Sequence, residues 1–395
     1  MNIYRIGFVL EQGLGHKTHS QNLQALLSRE ASIHPYWVLP NWQTEGLGSK
    51  IPIYKSNWTV QAGWQARQGI KEILNRTHLD GLFFHTQVPA VFSINWIQRI
   101  PSVISLDATP LQYDELGEAY EHRQGPAWLE RLKYRLNRNA LQAARHLVTW
   151  SEWAKDGLVY DYGIPEEKIT VIPPGVNLRQ WARPKTAAKF NQVVKILFVG
   201  GNLARKGGTN LLEAFHILHS QQLQQHNGKQ PRIELHLVTH DNVEPGPDIF
   251  LHQHMQPNSP ELKRLYHEAD IFCLPTRGDC LPMALAEAGA ASLPIVSTDV
   301  AAIPEFVHED TNGFLIQPGD IRGLVDALQR LIEDPLLRKM MAAQSYRIVA
   351  AEHDAELNAM RLVQVLHSVV DNSPLPLAQH ESGSANSLRY DQPRN

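Results

Sequence analysis

The stretch LPTRGDCLPMALAEAGAASLPIVST, residues 274–298, sets the strongest limit on how this chain can fold. It links two short apolar runs, IFCLP at 271–275 and LPIVST at 293–298, through a polar turn and a segment rich in helix formers. An apolar run with no alternating polar residue suits a strand covered on both faces, as in a parallel sheet. Pro282 is tolerated at the helix start, where a missing N–H costs little. The small residues of MALAEAGAA let that helix lie close to a sheet. The unit reads as βαβ, and its turn, Thr276-Arg277-Gly278-Asp279, falls at a strand's carboxyl end, where open α/β sheets bind ligands. Asp279 and Glu287 are eight residues apart, so both can reach a ligand lying over the helix N-terminus.

Strand, glycine loop and helix occur twice more. Residues 3–10 read as a buried first strand, Glu11-Gln12-Gly13-Leu14-Gly15-His16 is a glycine-bearing turn, and a helical run follows from 20 to 27. Free N–H groups at such a helix start favour anions, which makes Gly15 and His16 candidate ligand contacts. KILFVG at 195–200 leads through Gly201-Asn202-Leu203-Ala204-Arg205-Lys206-Gly207-Gly208 into LLEAFHIL. Here two cations stand beside a helix N-terminus, so Arg205, Lys206 and backbone N–H groups can converge on a diphosphate. Between these units the pattern alternates through 36–39, 63–74, 80–85 and 102–106, with a long helix from about 127 to 147 and a strand at 146–151. Two strand ends in this half carry polar residues: His85 after GLFF and Asp107 after SVISL.

The paired acids, the glycine loops, ITVIPPGVN at 169–177 and the TNGFL and PGD runs at 311–315 and 318–320 together resemble the family 4 retaining glycosyltransferases, the glycosyl transferases group 1. The resemblance covers nearly all of residues 1–365 and is strongest after Asn177. It implies a GT-B fold, two Rossmann-like, doubly wound α/β domains with parallel sheets facing a cleft. It further implies that the first acid, Asp279, holds sugar hydroxyls of a nucleotide-sugar donor, and that Glu287 holds the ribose hydroxyls. Cys280, Leu281 and Pro282 follow as donor-binding positions on the same turn. The first loop, with Gly15 and His16, is similar to the one facing the donor phosphates and the acceptor.

The chain departs from the family pattern at four places. Asp279 replaces the usual Glu, a shorter arm. Gly201 stands where an Arg is common, with Arg205 offered from a shifted position beside Lys206. SLDATP carries Asp107 where a His commonly touches the sugar. Ala301 and Ala302 stand where two glycines usually precede Ile-Pro-Glu, which lowers backbone freedom there.

The expected organisation is an acceptor-side domain over 1–177, a linker over 178–192, a nucleotide-sugar-binding domain over 193–350, a helix at 351–370 crossing back to the first domain, and a disordered tail at 371–395 rich in Ser, Pro, Asn and Gln. The expected activity is retaining, metal-independent transfer of a hexosyl group from a UDP- or GDP-sugar to a hydroxyl acceptor. Asp279, Arg205, Lys206 and Asp107 are its candidate catalytic residues, and no cofactor is implied beyond the co-substrate. The alternative is a catalytically inactive, nucleotide-sugar-binding regulatory subunit of the same fold.

Composition narrows the partners. A net charge of −3 over 395 residues argues against nucleic acid as the dominant partner. Arg131, Arg135, Arg138 and Arg145 recur along one face of the long helix, opposite Leu129, Leu132, Leu136 and Leu147. That stripe reads as a solvated face or as a peripheral contact with anionic lipid, where a glycan or lipid-linked acceptor would be met. The absence of a secretory signal pattern, of any 18-residue apolar run and of all but two cysteines, Cys273 and Cys280, fits a protein kept in the cytosol, at most peripheral at the inner membrane face. His252 and His254, read together on one strand face, lack the tight Cys pair of a zinc site, and no Asp-x-Asp pair offers a metal-held diphosphate.

Overall fold

The computed structural model describes residues 2–13, 15–42, 57–117, 119–120, 125–184, 193–224 and 231–374. Twelve strands form two sheets of six among these residues. The first holds β1 (Tyr4–Leu10), β2 (Ile33–Val38), β3 (Gly81–His85), β4 (Ser102–Leu106), β5 (His146–Thr149) and β6 (Ile169–Val171), in the order β2-β1-β3-β4-β5-β6. The second holds β7 (Val193–Val199), β8 (Arg232–Val238), β9 (Ile249–His252), β10 (Ile271–Leu274), β11 (Ile295–Thr298) and β12 (Gly313–Ile316), in the order β12-β11-β10-β7-β8-β9. Every pairing is parallel. The two orders differ at one end only: the second is the doubly wound dinucleotide-type order, and the first starts like the 2-1-3 flavodoxin order.

Helices cover both faces of each sheet, which is why the strands read as continuous apolar runs. Those used below are α1 (His16–Leu27), α2 (Trp58–Leu74), α3 (Pro110–Glu115), α4 (Ala127–Ala143), α5 (Glu152–Tyr162), α6 (Gly208–Gln224), α7 (Pro260–Glu268), α8 (Met283–Ala290), α9 (Ile321–Glu333), α10 (Pro335–Glu352) and α11 (Ala355–Asp371). Ile70, Leu141 and Leu158, from α2, α4 and α5, pack on one face of the first sheet, and Leu23, Leu362 and Leu366, from α1 and α11, on the other. The chain thus returns to the first sheet at its end. Between α10 and α11 the backbone bonds across to the strand exit, with Val176 N–H donating to His353 O at 2.9 Å and Ala355 N–H to Val176 O at 3.1 Å.

Two expectations need correction. The long helix stops at Ala143 instead of running to 147, because the next residues are taken by the sheet: Arg145 N–H donates to Ser102 O at 2.9 Å and Leu147 lies fully buried in β5. Arg145 therefore leaves the basic stripe, and its guanidinium donates to Val369 O at 2.7 Å. His252 and His254 do not share a strand face, since β9 ends at His252 and His254 has φ of 61°. Within the expected linker, residues 178–181 form a helical turn that buries Trp181 edge-on against Tyr266, while 185–192 lie outside the described residues. Of the expected tail, 375–395 also lie outside them, as does Leu14 of the first glycine loop.

Candidate active site between the two sheets

The site begins at the point where strand order reverses in the second sheet. β7 and β10 are neighbours there, so the loops leaving their carboxyl ends meet although some seventy residues separate them. Arg277 N–H donates to Arg205 O at 2.8 Å, and the Thr276 hydroxyl reaches the same carbonyl at 3.2 Å. Gly207 makes this approach possible. Its φ is +77°, and a Cβ there would lie 1.8 Å from Pro275 O. The polar end of β11 secures the other side, with Ser297 donating to Leu274 O at 2.8 Å and Thr298 to Thr276 O at 2.7 Å.

Held in this way, Lys206 pairs with Asp279 through Nζ and Oδ2, and Arg205 Nη1 lies 3.6 Å from Asp279 Oδ1. Arg205 also donates to Gly278 O at 2.8 Å and stacks over the Tyr120 ring at 4.5 Å. Asp279 is thus a shared counter-ion for both cations rather than a helix cap. α8 instead starts at Pro282, with no side-chain cap.

Glu287 projects from α8 into the same cleft and is almost wholly buried. Its carboxylate accepts the Tyr266 hydroxyl at 2.7 Å, and burial pushes its pKa from 4.5 up to about 7, the Tyr266 hydrogen bond and Lys263 opposing the shift. Cys280 is buried beside Asp107 and Asp279, and burial with those carboxylates pushes its thiol well up, so it stays protonated.

The first sheet contributes the opposite wall. Gly15 precedes α1, whose first turn carries no side-chain cap, and both Gly15 and His16 line the cleft. Gly15 itself has an ordinary φ of −70° and open space around it, so it serves by leaving room and not by unusual dihedrals. His16 Nε2 stands 3.9 Å from Asp107 Oδ2, and its Nδ1 is 3.0 Å from His85 Nε2. His85 is fully buried and does not line the cleft.

A single cleft of about 550 Å³ collects Gly15, His16, Asp107, Arg205, Lys206, Asp279, Cys280, Leu281, Pro282 and Glu287. Its size falls in the range of small-molecule sites. Sequence reasoning missed Tyr113, Tyr120, Trp150 and His240, which line it as well. Trp150 and His240 each lie one or two residues beyond a parallel strand's carboxyl end, a position that was the available signal. Tyr113 and Tyr120 face each other at 4.4 Å, and nothing in their spacing marks them. Among the described residues no group of three or more His, Cys, Asp or Glu is arranged to hold a metal ion, and no helix is long and apolar enough to cross a membrane.

Two family models match the chain: Glycosyltransferase Family 4 over residues 26–180 and Glycosyl transferases group 1 over 194–334. Among curated relatives, the capsular polysaccharide biosynthesis glycosyltransferase CapM of Staphylococcus aureus is 23% identical over 240 residues, 57% of this chain and 62% of that one. The MMP alpha-(1->4)-mannosyltransferase of Mycolicibacterium hassiacum is 26% identical over 48% of this chain and 46% of its own. The chain thus matches about half to three fifths of the length of these relatives. Among solved structures, sucrose-phosphate synthase from Thermosynechococcus elongatus superposes with a TM-score of 0.74 at 14% identity, over 94% of this chain and all of that one. Anabaena HepE in complex with UDP-glucose gives 0.64 at 16% identity, over 92% and 100%. At such identities the structural likeness speaks for the fold.

Proposed function

Because the chain belongs to the group 1, family 4 glycosyltransferases of GT-B fold, we propose that it moves a hexosyl group from a UDP- or GDP-sugar to a hydroxyl acceptor, with retention at the anomeric carbon and without a divalent metal. The observation that carries this reading is the convergence of Arg205, Lys206, Asp279 and Glu287 on one cleft from two adjacent loops and a buried helix. The two cations suit the diphosphate, where negative charge grows as the sugar–phosphate bond breaks. Glu287 suits the ribose hydroxyls, and Asp279 is close enough to the cations to pass from them to sugar hydroxyls when a diphosphate takes its place. The acceptor hydroxyl attacks on the face the phosphate leaves, and its proton passes to the departing phosphate oxygen. No protein nucleophile is needed for that route.

The reading extends to a glycan or lipid-linked acceptor. Arg131 and Arg135 are exposed on α4 beside Trp128 and Leu132, themselves 67% and 46% exposed, a combination suited to an anionic membrane surface. The cytosolic face of a membrane is the compartment proposed.

A donor screen tests the whole reading. Thermal shift and nucleotide release are measured with UDP- and GDP-sugars, with and without EDTA. Stabilisation by one donor with slow, EDTA-insensitive release of its nucleotide is the expected result. Binding with no turnover, even with cell-extract acceptors present, would favour the inactive regulatory subunit, and no binding would overturn the donor site.

A further inference from the structure

The reversal of strand order in the first sheet lies between β1 and β3, and a cluster of three histidines fills it. His85 closes β3 with its ring stacked on Trp150 at 5.1 Å and 10°, and the His19 ring lies 4.7 Å away. Both rings are buried. Burial pushes the His19 pKa down to about 3 and holds His85 well below its ordinary value, so both are neutral at physiological pH.

A neutral imidazole has one N–H and one lone pair, and the neighbours of one nitrogen decide the role of the other. His85 Nδ1 lies 3.4 Å from the Ser105 hydroxyl, and a hydrogen bond with the Ser105 backbone favours a proton on this ring. With that proton on Nδ1, His85 Nε2 is an acceptor. It meets His16 Nδ1 at 3.0 Å, which must then carry the proton of that contact. His16 is left with a lone pair on Nε2, aimed at the cleft 3.9 Å from the Asp107 carboxylate.

We infer that His85 is a positioning residue, which fixes His16 with its proton on Nδ1 so that His16 Nε2 and Asp107 form a pair of adjacent acceptors for two neighbouring hydroxyls of a sugar. Two acceptors side by side cannot satisfy each other, and a vicinal diol supplies the two donors they lack. In the other tautomer, His16 would donate from Nε2 toward Asp107 and close the site on itself. The groups facing His16 are His85 and Trp150 from the sheet, His19 from its own helix and Asp107, behind which stand Tyr113 and Cys280. The inference rests on the glycosyltransferase reading for its ligand, but not for its tautomer.

The test reads both parts separately. In protein labelled with nitrogen-15 at histidine, two-bond proton–nitrogen spectra report which ring nitrogen of His16 is protonated, with the signal assigned by its loss in His16→Asn. The expected result is a proton on Nδ1 at neutral pH. In His85→Leu, which offers no acceptor, His16 shifts toward the Nε2–H form and the nucleotide-sugar Kd rises about tenfold, while the Kd of the nucleoside diphosphate alone is unchanged. His85→Gln, whose amide both donates and accepts, restores the wild-type tautomer and affinity. A wild-type His16 protonated on Nε2 overturns the inference, and that reading does not depend on His85→Leu folding. An unchanged nucleotide-sugar affinity in His85→Leu also overturns it. If the tautomer is as inferred and no nucleotide-sugar binds the wild type, the sugar ligand and the glycosyltransferase reading fail together and the positioning by His85 stands.

Discussion

Tyr266 donates its buried hydroxyl to Glu287 at 2.7 Å, joining α7 to α8 beneath the cleft. Burial raises the Glu287 pKa to about 7 from 4.5, so the folded chain binds this proton more tightly than the unfolded one. The associated stability is fully present below pH 4.5 and is lost as pH rises through about 7. Glu287→Gln should remove that contribution, so that melting temperature falls less, or rises more, with pH between 4.5 and 7 than in the wild type. Ribose hydroxyls favour the charged carboxylate, so donor binding near pH 7 should release a proton. Calorimetry in buffers of different ionisation enthalpy would detect it in the wild type and not in Glu287→Gln; equal proton release in both would refute the assignment.

Asp279 contacts both Arg205 and Lys206, so acid and cations should respond in opposite ways to mutation. Lys206→Ala should weaken nucleoside diphosphate binding about 10- to 100-fold, the loss of one hydrogen bond to a charged group. Asp279→Asn should tighten the nucleoside diphosphate several-fold while lowering turnover of the nucleotide-sugar. Titration calorimetry with the nucleotide alone separates these outcomes. Weaker nucleotide binding in Asp279→Asn would show that Asp279 does not compete for the cations.

Ala301 adopts a φ of 50°, the left-handed region that disfavours a side chain by roughly 1 kcal/mol. It occupies one of the two positions where the resembled family carries glycine, so the alanine is retained at a cost in strain. Ala301→Gly should raise the melting temperature by a few degrees, the loss of strain outweighing the entropy regained by the unfolded chain. An unchanged or lower melting temperature would place the backbone of this turn elsewhere.

His353 sits at the crossing between α10 and α11, fully buried, with Nδ1 3.1 Å from Pro174 O. Burial depresses its pKa from 6.5 to about 4. Its neutral form contributes stability that is present above pH 6.5 and is lost as pH falls through about 4, on the order of 3 kcal/mol at full effect. His353→Gln keeps a donor for that carbonyl and should give a shallower fall in melting temperature over the same range. His19 and His146 are depressed for the same reason, so a slope remains.

The second βαβ unit was legible because each strand is apolar on both faces and each ligand loop follows one directly. The pairing of Asp279 with Lys206 was not, because it depends on β7 and β10 being neighbours, a matter of strand order that no local pattern encodes. Helical preference across Ala143-Ala144-Arg145 carried the predicted helix too far, and the β4 ladder overrode it by claiming the Arg145 N–H. His85 stood out in the sequence as a polar strand end, yet its buried place behind His16 follows only from the order β1-β3. Tyr113 reaches the cleft from the short helix α3 and Tyr120 from the turn after it, stretches too short to carry a periodic signal.

The central claim is transfer from a nucleotide-sugar with retained configuration, and the products themselves test it most directly. With the donor found by screening, the hexose released in the first minutes is followed by proton NMR at the anomeric position, in EDTA, for the wild type, Lys206→Ala and Glu287→Ala. The account predicts that the wild type first releases the same anomer that the donor carried, before mutarotation, and that both variants slow this release by at least tenfold. Initial appearance of the opposite anomer, or release undiminished in both variants, would contradict it.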